Sequence, residues 1–122
     1  MSKILVIEDN LMIRENICEF LELKSYNVRS AENGEDGLNV ARDWLPDLIL
    51  CDILMPKLDG YGVLQELQAS PQLTTIPVIF LTAKSERSDQ KRGLELGAIN
   101  YLVKPLDMED LITGVQEGLK CI

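Results

Sequence analysis

Glu8-Asp9, Asp52, Thr82 and Lys104-Pro105 each follow directly on a short apolar run. The runs are Ile4-Leu5-Val6-Ile7, Leu48-Ile49-Leu50-Cys51, Val78-Ile79-Phe80-Leu81 and Tyr101-Leu102-Val103. Gathered on one rim, these residues would supply three carboxylates, a hydroxyl and an ammonium. Two unit charges about 4 Å apart, at an effective dielectric of ~20, repel by roughly 4 kcal/mol. Three carboxylates cannot be held bare and ionised in one place without compensation. A hard divalent cation relieves the repulsion, and Mg²⁺ favours a few carboxylates together with waters and phosphate oxygens. The set therefore suits a divalent metal beside a phosphoryl group. Any one of the acids alone would say little, because acidic residues at strand ends often cap helices.

Such a rim needs strands that all point the same way. Apolar runs of this kind read as strands buried on both faces of a parallel sheet. In such sheets ligands bind at the carboxyl ends of the strands. After the first strand, Asn10 can cap a helix whose Leu11, Ile13, Ile17, Phe20 and Leu21 follow the helical period. Tyr26 to Ala31 reads as a strand with polar Asn27, Arg29 and Ser30, as expected at a sheet edge. Asn33-Gly34 starts a second helix that ends before Leu45-Pro46. Asp59 can cap a third helix bearing Val63, Leu64 and Leu67. A polar helix near Ser85 to Leu96 follows, with Gly97 as its cap, then a short strand from Asn100 to Val103. Asp107 opens a last helix with Leu111, Ile112, Val115 and Leu119 on its inner face; Gly114 and Gly118 are expected to weaken it by about 1 kcal/mol each. Alternation of this type predicts an α/β fold: a doubly wound, flavodoxin-like, five-stranded parallel sheet. An edge second strand and right-handed crossovers select the order 2-1-3-4-5, an arrangement already described for doubly wound sheets.

The 122 residues are expected to form one domain, 1–122, with a single buried core. No apolar run approaches the roughly 20 residues needed to cross a bilayer. Met1-Ser2-Lys3 leads straight into a strand, so no signal peptide and a cytoplasmic location are expected. A net charge of −8 argues against direct contact with nucleic acid or a membrane surface, while leaving a basic protein partner open. Cys18, Cys51 and Cys121 form no C-x-x-C pair and read as reduced, structural thiols. Histidine is absent, which removes His-based triads, His general acid/base chemistry and His-ligated zinc.

Together, the acidic pair, Asp52 followed by Met55-Pro56 and Asp59-Gly60, the Thr82-Ala83 step and Lys104-Pro105 resemble a bacterial two-component response regulator receiver domain. The resemblance covers essentially the whole chain. It implies that Asp52 accepts a phosphoryl group from a sensor histidine kinase or histidine phosphotransfer protein. It implies Mg²⁺ (Mn²⁺ as a substitute) held by Asp9 directly, Glu8 through water, Asp52, and the Leu54 backbone carbonyl. Thr82 would hydrogen-bond the attached phosphoryl group, Lys104 would neutralise it, and the bond to Pro105 would be cis. Tyr101 matches the family's aromatic switch position, with coupling through the fourth helix to a downstream effector. Such a domain assists its own phosphorylation and dephosphorylation but is not a turnover enzyme. Leu54 and Lys84 occupy positions that flank attacking water in the family. Leu54 cannot accept a hydrogen bond and Lys84 can only donate, so slow self-dephosphorylation is expected.

Three other readings compete. A flavodoxin-like mononucleotide binder would need backbone donors after strand one, where Glu8-Asp9-Asn10 instead repels phosphate. A phosphatase or phosphomutase with an aspartyl nucleophile would need a substrate pocket and a cap insertion, for which these short connections leave no room. A degenerate receiver serving only as an interaction module would not need all of Glu8, Asp9, Asp52, Thr82 and Lys104. No effector segment is seen after Leu119, so a stand-alone receiver and a piece of a longer regulator stay open, as does a homodimer through the fourth and fifth helices.

Overall fold

The central strands form from the apolar runs 4–7, 48–51 and 78–81, which are buried from both sides. A computed structural model describes residues 1–83 and 87–120, except for the side chain of Asp89. Among these residues the order is β1 (Lys3–Ile7), α1 (Leu11–Leu23), β2 (Asn27–Ala31), α2 (Gly34–Trp44), β3 (Leu48–Asp52), α3 (Gly60–Gln68), β4 (Val78–Ala83), α4 (Arg87–Leu96), β5 (Asn100–Lys104) and α5 (Met108–Lys120). The expectations for Lys84, Ser85 and Cys121 lie outside the described residues. All neighbouring strands pair in parallel, in the order β2-β1-β3-β4-β5. The predicted flavodoxin-like α/β architecture and strand order are therefore found.

Alternate residues along each strand face opposite layers. Leu5, Ile7, Ile49, Cys51, Val78 and Phe80 pack with Leu38, Ala41 and Trp44 of α2 and Val63, Leu64 and Leu67 of α3. Ile4, Val6, Leu48, Leu50, Ile79 and Leu81 pack with Ile17 and Leu21 of α1 and Leu111 and Val115 of α5. Strand β2 is largely wet, in keeping with its edge position.

Helix starts follow the expected side chains. Asn10, Asn33 and Asp59 accept hydrogen bonds from the amides of Ile13, Asp36 and Gly62, and Asp107 from that of Glu109. Gly97, after α4, has φ +117°, which suits glycine. One expectation holds in part: Leu111, Val115 and Leu119 pack on the core as predicted, whereas Ile112 is not among the residues packed there. The buried face of α5 is Leu111, Gly114, Val115 and Gly118, with Ile112 and Leu119 only half-buried. Gly118 does not merely weaken the helix, because a Cβ there would lie 2.5 Å from Leu48 Cδ1. The missing side chain is what lets α5 approach β3.

Candidate functional site

Parallel register sets the carboxyl ends of β1, β3, β4 and β5 along one rim. Ile7 lies opposite Cys51, Asp52 opposite Leu81, and Ala83 opposite Lys104, so the residues that end each strand are neighbours. Gly60 helps shape this rim. Its amide donates to the Ile53 carbonyl at 2.8 Å, and a Cβ there would lie 2.6 Å from the Asp52 carbonyl oxygen. The Asp59-Gly60 step thus folds α3 tightly against the end of β3.

A cavity of about 310 Å³ opens on this rim, lined among others by Glu8, Asp9, Asp52, Leu54, Thr82 and Lys104. Glu8 is completely buried, Asp52 and Thr82 are buried, and Asp9 is exposed. Glu8, Asp9 and Asp52 each present a carboxylate oxygen within 4.8 Å of the others. Lys104 Nζ lies 2.6 Å from Glu8 Oε1 and 3.0 Å from Asp52 Oδ2. The Asp52 contact is a hydrogen bond, whereas Glu8 Oε1 has no partner in hydrogen-bond geometry despite its ion pair. Among the described residues the Thr82 hydroxyl makes only a long 3.4 Å bond, to the Ala83 carbonyl. The Lys104–Pro105 bond is cis, as expected.

Charge dominates the chemistry here. Burial, reinforced by the neighbouring Glu8 carboxylate and partly offset by Lys104, raises the Asp52 pKa to about 7. Burial acts to lower the Lys104 pKa, but Glu8 and Asp52 together hold it above its ordinary value. Three carboxylates face one ammonium, which leaves two formal negative charges when all are ionised. A divalent cation matches that deficit, and oxygen donors this close suit a hard ion. Glu8 Oε1, buried and ion-paired with Lys104 but in no hydrogen bond that meets ordinary geometry, has a further lone pair to offer. On these grounds the residues fit Mg²⁺.

All five strand-end residues meet here, and Leu54, 63% exposed, stands at the mouth. Tyr101 does not line the cavity; it is half-buried on the other side of β5's neighbourhood, against the layer that contains Phe80. Arg14 was missed in the sequence. Its guanidinium donates from α1 to the Glu8 carbonyl at 2.8 Å. Its position four residues after the Asn10 cap, where a long donor can reach back over the turn, was the available signal.

Comparison with known proteins adds an independent finding. Residues 4–116 match the family model described as the response regulator receiver domain. The protein named "Probable transcriptional regulator ycf27" from Porphyridium aerugineum is 43% identical over 98% of this chain and 48% of its own length. The "DNA-binding dual master transcriptional regulator RpaA" of a Synechocystis strain is 37% identical over 98% of this chain and 50% of its own length. The signal receiver domain of a signal transduction histidine kinase from Syntrophus aciditrophicus superposes with a TM-score of 0.91 at 35% identity, covering 100% of this chain and 92% of that one. The chain spans about half the length of the curated relatives it matches.

Proposed function

This chain belongs to the response regulator receiver family of two-component signalling, and on that premise we propose that it is a phosphorylation-controlled switch with Asp52 as phosphoacceptor. The observation that carries the reading is the placement of Lys104 Nζ between Glu8 and Asp52, at 2.6 and 3.0 Å, beside the three-carboxylate cluster. The donor is a phosphohistidine on a sensor kinase or phosphotransfer protein. An Asp52 oxygen attacks phosphorus, a P–O bond forms as the P–N bond breaks, and the electron pair returns to the imidazole, which takes a proton from solvent. Little covalent help is needed; positioning and charge neutralisation do most of the work.

Asp9, Asp52, the Leu54 carbonyl and, through water, Glu8 would hold Mg²⁺ (or Mn²⁺), which when bound neutralises charge on the transferring oxygens. Lys104 already touches Asp52 and supplies a fixed positive charge. The aspartyl phosphate carries about two negative charges and new acceptor oxygens. Among the described residues Thr82 has only its long bond to the Ala83 carbonyl to give up before turning toward them. Tyr101 and α4 then report the change to an effector. In relatives about twice as long, names such as that of RpaA attach DNA binding to the whole protein. With its charge of −8, we assign this receiver the switching role and not the nucleic-acid contact.

No helix among the described residues is long and apolar enough to cross a membrane. The retention of all five chemical groups weighs against a degenerate interaction module. An apolar Leu54 offers no base for water, so the phosphoryl group persists for minutes or longer; a pulse-chase showing loss within seconds in Mg²⁺ contradicts this. Beryllofluoride with Mg²⁺ tests the reading as a whole. The wild-type protein should bind it and Asp52→Asn should not, and a wild-type protein indifferent to it would refute the assignment.

A further inference from the structure

We infer that Arg14 is a positioning residue for the metal-holding turn, fixing Glu8 and Asp9 by gripping the Glu8 backbone carbonyl. This rests on the reading of the Glu8-Asp9 turn as part of a metal site. Strand β1 ends at Ile7 and α1 begins at Leu11, so two of the three carboxylates ride on a turn of three residues. The turn's amide end is tied to β2, where Glu8 N donates to the Ala31 carbonyl at 3.1 Å. Its side-chain end is tied by Asn10 N, which donates to Glu8 Oε2 at 3.1 Å. The Glu8 carbonyl is held by the Arg14 guanidinium, at 2.8 Å.

Arg14 is half-buried on α1, and its own amide donates to the Asn10 carbonyl at 2.9 Å. One residue thus grips the turn from both its backbone and its side chain. The guanidinium does not line the cavity, so it acts on the metal only through Glu8 and Asp9. Hydrogen bonds from a charged donor are roughly twice as strong as neutral ones. Partners that orient ligands in this way typically change metal affinity by about 10–100-fold.

Charge and positioning predict opposite signs. A nearby cation repels a dication, so deleting Arg14 for its charge alone would tighten metal binding. Deleting it as a positioning residue loosens the carboxylates and weakens binding.

Mn²⁺ titrated calorimetrically into the wild-type protein, Arg14→Met and Arg14→Lys separates the two. Arg14→Met should raise the Mn²⁺ Kd about tenfold. Arg14→Lys, with the charge but not the planar fork, should fall between. With acetyl phosphate, Arg14→Met should need more Mn²⁺ for half-maximal labelling yet reach the wild-type plateau rate. A Kd in Arg14→Met equal to or below that of the wild type overturns the inference, whatever happens to its melting temperature. If that variant does not fold, an unchanged Kd in Arg14→Lys overturns it instead. Wild-type protein that takes up no Mn²⁺ overturns both this inference and the function on which it rests.

Discussion

Asp52, the proposed nucleophile, sits where a carboxylate is hard to keep ionised. Its pKa rises from 3.8 to about 7, chiefly through burial and then through Glu8, with Lys104 opposing. A carboxyl group whose folded pKa lies above its unfolded value binds its proton more tightly in the folded state. Its stabilising contribution is therefore complete below about pH 4 and is lost as pH rises through about 7. In metal-free buffer at about pH 8, Asp52→Asn should be more stable than the wild type by about 2 kcal/mol, allowing for water at the rim. The gain should shrink as pH falls toward about 4, and saturating Mg²⁺ should close it by stabilising only the wild type. Urea denaturation across pH checks this, and a pH-independent difference would contradict it. The proposed nucleophile thus sits in an unfavourable electrostatic setting that a bound divalent metal would relieve.

At the scale of elements, the two helices nearest β5 are built differently. Helix α5 docks closely because Gly118 leaves room for Leu48, while a Cβ at Gly114 would meet nothing nearer than 3.5 Å. Gly114→Ala should therefore stabilise the protein by about 1 kcal/mol, and Gly118→Ala should destabilise it. Chemical denaturation of the two variants gives the answer; equal shifts of one sign would refute this packing. Among the residues of α4 whose burial is described only Gly93, which has no side chain, is buried, and it lies against the Phe80 ring. Polar contacts to α3 supplement that grip: Arg92 stacks over the Tyr61 ring at 4.3 Å, and Gln68 Nε2 donates to the Leu96 carbonyl at 2.8 Å. Amides of α4 should exchange with deuterium well before those of α5, and equal protection would remove α4 as the labile element. Much of this was legible beforehand. The strands announced themselves by unbroken apolar runs, and Asn10, Asn33, Asp59 and Asp107 marked helix starts by their capping chemistry. Lys104 and Asp52 were readable as partners because strand ends in a parallel sheet must meet. The burial of Gly118 went unread because a residue without a side chain gives no hydrophobic signal, so it shows only once α5 is docked. Arg14 escaped notice because a guanidinium on a helix reads as solvated until the backbone carbonyl it reaches is placed.

At the scale of the whole molecule, the doubly wound sheet separates two jobs. The layers that contain Phe80 and Leu81 pack the strands from opposite faces, and the carboxylate cluster lies on one rim. Thr82 and Tyr101 lie on the adjacent strands β4 and β5, and α4 packs over those strands through Gly93 and Phe80. A charge added at Asp52 therefore acts beside the least firmly packed helix of the molecule's described part, which is the arrangement a switch requires. The most direct test is acetyl phosphate treatment in Mg²⁺, followed by intact mass and peptide mapping. The account predicts one added phosphoryl group, located on Asp52, lost in Asp52→Asn and absent when the metal is chelated. An unchanged wild-type mass, or label carried on another residue, would contradict it.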